Sequence, residues 1–276
     1  MTQVGTEVTF FGVRGSTPGH SADMARYGGN TSCVVVESAG EAPIVLDAGT
    51  GLRIYGLAQS GTFEGTMLVS HLHWDHVQGL PFFPPFLDPA SKTTVWGPPE
   101  LDMDFATAFN GFLRPPYFPV EVDDLPSSIS MRNISDETIQ VGGARITAGP
   151  VPHNGQTNGY RIEVGGVSIA YIPDHQQSPN GTDVADSVLA LADGVDLLIH
   201  DAQFTEELLA QRAEWGHCTP AYALRVAELA GAKSLALFHH DPLHDDAMVD
   251  GLLEATSAAA TSTQVIAACE GLKISL

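Results

Sequence analysis

The chain reads as an α/β protein: two strand-rich halves forming two β-sheets packed face to face, with helices on the outside. Three observations predict this. Short apolar runs punctuated by Gly, Pro and Asn recur through the first half. The same style returns in the second half with helical segments between the runs. No linker-like stretch divides the halves, so residues 1–276 are expected to form one domain. A chain of 276 residues supports one large core or two small ones.

In the first half the strand-like runs are Glu7–Val13, Cys33–Glu37, Ile44–Asp47, Met67–Ser70 and Thr93–Trp96. Between them lie three glycine-bearing loops, Arg14-Gly15-Ser16-Thr17-Pro18-Gly19, Tyr27-Gly28-Gly29-Asn30-Thr31-Ser32 and Asp47-Ala48-Gly49-Thr50-Gly51. Glycine there permits either close backbone approach to a ligand or simply a tight turn. Residues 100–135 are irregular and rich in Phe and Pro, and read as a covering segment, core closure in preference to a lid. In the second half Ala144–Ala148, Tyr160–Val164 and Val167–Ile172 read as strands, the last two joined by a hairpin over Gly165-Gly166. A helix near Asp183–Ala192 leads into strand Val195–His200. Thr219-Pro220 opens the clearest helix, with Thr as N-cap and Pro at the first helical position, and Gly231 closes it. Strand Ser234–Phe238 follows, and then a last helix and strand.

Composition bounds the function. Hydrophobic residues at 43% and charged residues at 16% describe a soluble globular protein. No run approaches 18 uninterrupted apolar residues, so no membrane span is expected. The opening Met1-Thr2-Gln3-Val4-Gly5-Thr6-Glu7 lacks a basic region followed by an apolar stretch, which predicts no secretory signal. Cys33, Cys218 and Cys269 are odd in number and scattered, as fits reduced thiols in a cytoplasmic protein. Cys218 is expected as a small buried hydrophobe despite its neighbour His217. The net charge of −21 and 12 basic residues disfavour long nucleic acid, whose binding needs Lys and Arg against phosphates. A small phosphate ester is still compatible, since metal ions supply positive charge locally.

The chemistry concentrates in Ser70-His71-Leu72-His73-Trp74-Asp75-His76, just after the apolar run Met67-Leu68-Val69. Imidazole nitrogen and carboxylate oxygen are ligands for zinc and similar metals. His71 and His73, two apart on extended backbone, point to one side and can grip one ion. Asp75 and His76, adjacent where the chain turns, can face a second. Other strand ends add His153 after Ala144–Ala148, Asp174 after Val167–Ile172 and His239 after Ser234–Phe238. A strand end on a packed scaffold holds a side chain rigidly over a cleft.

This set, His-x-His-x-Asp-His followed in order by His, Asp and His with a Gly-rich opening, resembles the metallo-β-lactamase fold superfamily over nearly the whole chain. It looks closest to the phosphodiesterase branch that contains ribonuclease Z and phosphoribosyl cyclic phosphodiesterase. The resemblance implies an αββα sandwich of two mixed sheets with two metals at one edge. It implies that His71, His73 and His153 hold the first ion, Asp75, His76 and His239 the second, and that Asp174 bridges them. Two divalent ions are implied, zinc foremost, with manganese or iron as alternatives. His217, in Gly216-His217-Cys218-Thr219, matches that branch's proton donor. Asp201, in Leu198-Ile199-His200-Asp201-Ala202, stands where the branch has Glu, and the shorter acid is expected to orient His217 less directly. His175 follows Asp174 where Thr is common, and His240 beside His239 leaves two candidates for the last ligand, with His239 favoured. Relatives in the branch are often dimers, which implies a homodimer.

The expected reaction is hydrolysis of a small phosphodiester, a cyclic nucleotide or cyclic sugar phosphate. Two ions about 3.5–4 Å apart would activate a water, and the hydroxide between them would attack phosphorus. Asp75 could take the nucleophile's proton and His217 protonate the leaving alkoxide. The nearby helix start is expected to push the His217 pKa downward. Ribonuclease Z carries a long RNA-holding arm between the positions of His153 and Asp174; here two strands and a turn fill that interval. A lactone, thioester or lactam hydrolase of the same fold, and a non-catalytic metal-binding regulator, are the alternatives.

Overall fold

The computed structural model describes residues 5–276; positions 1–4 of the opening segment lie outside the described residues. Among the described residues fourteen strands form two sheets of seven. The first sheet holds β1 (Thr6–Gly12), β2 (Cys33–Ser38), β3 (Ile44–Leu46), β4 (Glu64–Leu68), β5 (Lys92–Gly97) and β6 (Ser128–Asn133). The second holds β7 (Thr138–Val141), β8 (Ala144–Pro150), β9 (Asn158–Val164), β10 (Val167–Ile172), β11 (Leu197–Asp201), β12 (Ser234–Phe238) and β13 (Gln264–Ala267). A last strand, β14 (Lys273–Ser275), returns to pair antiparallel with β1 at the edge of the first sheet. Seven helices connect them: α1 (Gly51–Ala58), α2 (Trp74–Val77), α3 (Phe105–Asn110), α4 (Asp186–Ala192), α5 (Glu206–Gln211), α6 (Pro220–Ala230) and α7 (Asp246–Ala259).

Both sheets are mixed in the same way. β1, β2 and β3 are antiparallel neighbours, whereas β3 to β6 run parallel. β7 to β10 are antiparallel neighbours, whereas β10 to β13 run parallel. The β9–β10 hairpin turns over Gly165 and Gly166, both at positive φ, as the sequence predicts. The parallel strands are buried on both faces, which explains their continuous apolar runs. In β10, Ile169 and Tyr171 face the space between the sheets, and Ala170 and Ile172 face the layer under α4 and α6.

Three apolar layers result. Val8, Phe10, Val34, Leu46 and Leu68 meet Ile146, Ile162, Ile169, Ile199 and Phe238 between the sheets. Leu191, Tyr222, Val226 and their neighbours cover the outer face of the second sheet. On the first sheet's outer face, Phe83, Phe86, Phe105, Phe109 and Leu113 pack against Leu52, Tyr55 and Val95. Residues 100–135 thus close the core, as expected.

Elements the sequence reading passed over are β6, β7, β14, α1, α2, α3 and α5. The strand β6 presents exposed residues at alternate positions, and β14 has three residues at a sheet edge. Asp75 and His76 lie within the single turn of α2 instead of a free bend. No helix among the described residues is long and apolar enough to cross a membrane.

Candidate metal centre

The parallel strands β3, β4, β10, β11 and β12 end at one rim of the sandwich, and the residues that follow them supply the site. Ligand sites in parallel sheets lie at carboxyl ends for a reason of geometry: successive loops there converge instead of diverging. Asp47 follows β3, His71 to His76 follow β4, Asp174 follows β10, Asp201 ends β11 and His239 follows β12. His153 follows β8 on the antiparallel side of the second sheet.

Among the described residues three overlapping donor groups form: two hold the expected ligands, and the third joins Asp174 and His239 to His217. Ligand atoms of His71, His73, His153 and Asp174 lie within 4.8 Å of one another. His153 Nε2 is 3.2 Å from His73 Nδ1 and 3.6 Å from Asp174 Oδ2, which is 3.8 Å from His71 Nε2. The second set is Asp75, His76 and His239. His239 Nε2 is 3.1 Å from Asp75 Oδ2 and 3.3 Å from His76 Nε2. Asp174 faces both: its Oδ1 is 3.0 Å from His76 Nε2 and 3.4 Å from His239 Nε2.

These distances fit a metal centre better than a hydrogen-bonded cluster. A tetrahedral zinc with Zn–N near 2.0–2.1 Å separates two of its nitrogens by about 3.3 Å. Both closest imidazole pairs have nearly that spacing. His71 Nε2 is buried with no hydrogen-bond partner, an arrangement that costs energy unless a cation takes its lone pair.

The protonation states agree. Burial and the neighbouring His76 hold His71 well below its ordinary pKa, and burial lowers His73 and His153, so each offers a lone pair. Burial alone would disfavour ionised Asp75, but His76 and His239 outweigh it and keep its pKa well below the usual carboxylate range. Burial likewise opposes ionised Asp174, and His239, His76 and His71 overcome that. Burial opposes the charged form of His76, yet Asp75, Asp174 and Asp47 raise its pKa. A cation binding at Nε2 would displace that proton.

A surrounding shell fixes the donors. His76 Nδ1 donates to Asp47 Oδ2 at 2.7 Å, where Ser70 Oγ and Tyr171 Oη also donate. Tyr171 belongs to the second sheet, so this contact ties the sheets together at the rim. His153 Nδ1 donates to the Gly216 carbonyl at 2.7 Å, and Ser16 N donates to Asp75 Oδ2 at 2.7 Å. Asp47, Ser16 and His239 all have φ near +60°, a conformation non-glycine residues adopt at some cost. The Arg14–Gly19 loop therefore abuts the site: a Cβ on Gly15 would lie 2.4 Å from His239 Nδ1. The Gly28–Gly29 loop packs against Gly19 instead, which makes its glycines structural.

His217 joins the site from the loop before α6. Its Nδ1 donates to Asp201 Oδ2 at 3.0 Å and lies 3.8 Å from Asp174 Oδ2. The shorter acid thus reaches His217 directly, contrary to the sequence-based expectation, because β11 ends where the loop returns. The expected downward pKa shift is also overturned. Burial does lower it, but Asp201, with Asp174 and Asp75 beyond, drives the net value up to about 9. Asp201 is the residue the sequence reading undervalued. Its other oxygen accepts from Gln203 N, and the His175 amide shares Oδ2.

The remaining ambiguities resolve. His240 Nε2 donates to the Ala268 carbonyl at 2.9 Å, away from the site, and burial drives its pKa down to about 3. His239 is the one whose Nε2 enters the cluster. His175 turns from the site to His200, with Nδ1 3.0 Å from His200 Nε2. Cys218 is buried, and burial raises its thiol well above the ordinary range. Its burial is as expected, and its Sγ donates to the Asp201 carbonyl at 3.0 Å.

Comparison with known proteins agrees with the geometry. A family profile described as "Beta-lactamase superfamily domain" matches residues 43–240. A ribonuclease Z from Halorubrum lacusprofundi is 26% identical over 281 aligned residues, spanning 84% of this chain and 85% of that protein. Among solved structures, the metallo-beta-lactamase fold protein YhfI from Bacillus subtilis superposes with a TM-score of 0.73 at 20% identity, covering 99% of both chains. A diphosphatase of the PhnP family superposes with a TM-score of 0.72 at 18% identity, covering 98% of both. Two mixed sheets with outer helices, the clustered His and Asp donors and the profile match lead to one assignment: the chain belongs to the beta-lactamase superfamily domain family and has the metallo-β-lactamase fold.

Proposed function

We propose that this protein hydrolyses a small phosphodiester, such as a cyclic nucleotide or cyclic sugar phosphate, at a centre of two divalent cations, zinc foremost. The observation that carries this reading is the split of the Asp174 carboxylate: Oδ2 faces His71 and His153, and Oδ1 faces His76 and His239. His71, His73 and His153 would hold one ion and Asp75, His76 and His239 the other, with Asp174 between. Bound there, divalent cations supply Lewis acidity that lowers the pKa of water and offsets charge growing on the phosphoryl oxygens.

The chain's own residues handle the protons. Asp75 accepts a hydrogen bond from the attacking water and takes its proton, holding it only transiently because its pKa is low. Asp201 fixes the Nδ1–H of His217, so the second proton sits on Nε2. His217 gives that proton to the departing alkoxide, a poor leaving group unless protonated. A phosphodiester needs such an acid; an activated ester or lactam does not.

Size and charge support a small substrate. The interval from His153 to Asp174 is filled by β9, β10 and their tight turn, leaving no length for an arm. The net charge of −21 works against a polyanion. The free cysteines support a reducing, cytoplasmic setting. The return of β14 to β1 supports reading 1–276 as one domain.

The test is a turnover panel with zinc- or manganese-loaded protein: bis(p-nitrophenyl) phosphate, cyclic nucleotides and cyclic sugar phosphates against nitrocefin and a lactone. Diester cleavage is expected, and His217→Ala should remove it for the cyclic diesters, whose alkoxide needs a proton, and spare most of it for bis(p-nitrophenyl) phosphate. Lactone turnover that survives His217→Ala, with no diester cleaved, would replace this reading by the carbon-ester alternative. Loaded protein silent on every substrate would favour a regulator.

A further inference from the structure

Beside the metal centre lies an apolar pocket of about 320 Å³ whose walls include Leu72, Trp74, Val77, Phe82, Tyr117 and Phe118. We propose that it is a subsite for a flat, uncharged aromatic ring carried on one ester arm of the substrate. The proposal rests on the diester reading above and specifies which diesters fit.

Position comes first. Leu72 and Trp74 alternate along the chain with His71, His73 and Asp75, so the pocket wall and the donor sets share one stretch of backbone.

The chemistry of the walls selects the substituent. None of the ten lining residues is charged; the polar groups are the Gln78 amide, which reaches Thr31 Oγ1 at 3.4 Å, the Tyr117 hydroxyl and the Trp74 indole N–H. A second phosphate or carboxylate would lose its hydration there without a cationic partner. An aromatic ring would gain edge and face contacts instead. Phe82 and Phe118 already meet edge to face, with centroids 6.1 Å apart. The volume lies at the lower end for small-molecule sites and suits one ring system.

Exposure points the same way. Trp74 is 68% exposed, Phe82 58% and Tyr117 71%, while Val77 and Leu113 in the same pocket are buried. The floor is therefore set by the core, and the rim is a group of large apolar side chains left in water around a concavity. Large apolar groups clustered in that manner mark a surface that binds something. A second pocket, about 750 Å³, is lined by residues that follow His153 and Asp174 in the chain. It is lined by Asn154, Gln176, Gln177, Ser178 and Asn180 among others, and shares no residue with the first. Its Gln177 donates from the backbone to the His217 carbonyl, so the polar pocket adjoins the proton donor. The departing, hydroxyl-bearing arm belongs on that side and the ring on the retained arm.

The test compares methylphosphonate with phenylphosphonate, which differ only by the ring, as ligands of the zinc-loaded protein by titration calorimetry. Phenylphosphonate is expected to bind about tenfold more tightly, from burial of the ring. Phe82→Ala and Tyr117→Ala, both at exposed positions, should each lower that ratio severalfold, and Tyr117→Phe should keep it. Equal affinity in the unmodified protein, binding by neither phosphonate, or a ratio the alanine variants leave intact overturns the subsite. Light scattering on the same variants adds another arm: dissociation of an oligomer with the ratio intact would assign the patch to a contact between copies and overturn the subsite. Calorimetry reads no turnover, so the two readings fail separately. A protein that cleaves no diester yet keeps the ratio loses its activity assignment but not the pocket; one that cleaves diesters without the ratio loses only the pocket.

Discussion

At the scale of single residues, the Asp201–His217 pair carries the sharpest expectation. The His217 pKa is raised to about 9 against the effect of burial, and Asp201 makes the largest raising contribution. An acid acts only when protonated, so diester cleavage should fall as pH rises through that pKa. Asp201→Asn removes the raising charge, and the alkaline limb of the kcat profile should move to lower pH; a limb unmoved by the substitution would mean that another group donates. His217→Ala should cost about 10²–10⁴-fold in kcat on a diester with an alkoxide leaving group. It should cost far less on one with a p-nitrophenolate leaving group. Asp47→Asn probes the shell behind the donors: it weakens the contact that orients His76 Nε2, and affinity at the second cation position should drop about 10–100-fold, as read by competition with a chelator. The donors themselves were legible in the sequence because each follows an apolar strand or sits in His-x-His-x-Asp-His. The role of Asp201 was not, since it depends on where the loop of residues 202–216 brings His217. The choice of His239 over His240 likewise depends on a backbone turned to φ +60°.

At the scale of elements, the long apolar strands and the well-capped helix α6 could be read from the chain, because burial on both faces leaves continuous hydrophobic runs. Thr219 caps α6 by accepting from Tyr222 N, and Gly231 ends it at φ +68°, both as expected from residue type. The edges were not legible. In β6, exposed and half-buried residues alternate under the sequence Ser128-Ile129-Ser130-Met131-Arg132-Asn133, and pairing with β5 supplies what the pattern lacks. Helix α2 is a single turn whose polar residues face the site, so apolar periodicity has nothing to report. The junction before α6 yields a prediction of its own. Gly216 sits at φ +96°, and an added Cβ would lie 2.3 Å from His153 Nδ1. Gly216→Ala should therefore displace the His153 ring and weaken cation binding at the first position more than at the second. Thr219→Ala, three residues after Gly216, should instead lower global stability by about 1 kcal/mol, seen in the urea midpoint. Equal effects of both variants on cation affinity would imply a general loosening of the loop instead of a local clash.

At the scale of the whole molecule, each donor set spans both sheets. His71 and His73 come from the first sheet, whereas His153 and Asp174 come from the second; Asp75 and His76 meet His239 in the same way. A cation bound at either set links two layers otherwise joined by the apolar interface and by contacts such as Tyr171 to Asp47. Binding to the folded state alone stabilises it by about 2.7 kcal/mol when free cation is a hundredfold above its dissociation constant. For a chain of this length that corresponds to a Tm increase of several degrees. Chelator treatment should lower Tm accordingly, and micromolar zinc should restore it. The net charge of −21 complicates the measurement, because salt alone screens self-repulsion and raises the stability of an acidic protein. Asp174→Asn separates the two effects. It removes the carboxylate shared by both donor sets while changing the net charge by only one, so the response to sodium chloride should persist and the response to zinc should largely vanish. A zinc shift undiminished in that variant would place the stabilising cation elsewhere on the acidic surface, and the two sheets would then be held at this rim by hydrogen bonds alone.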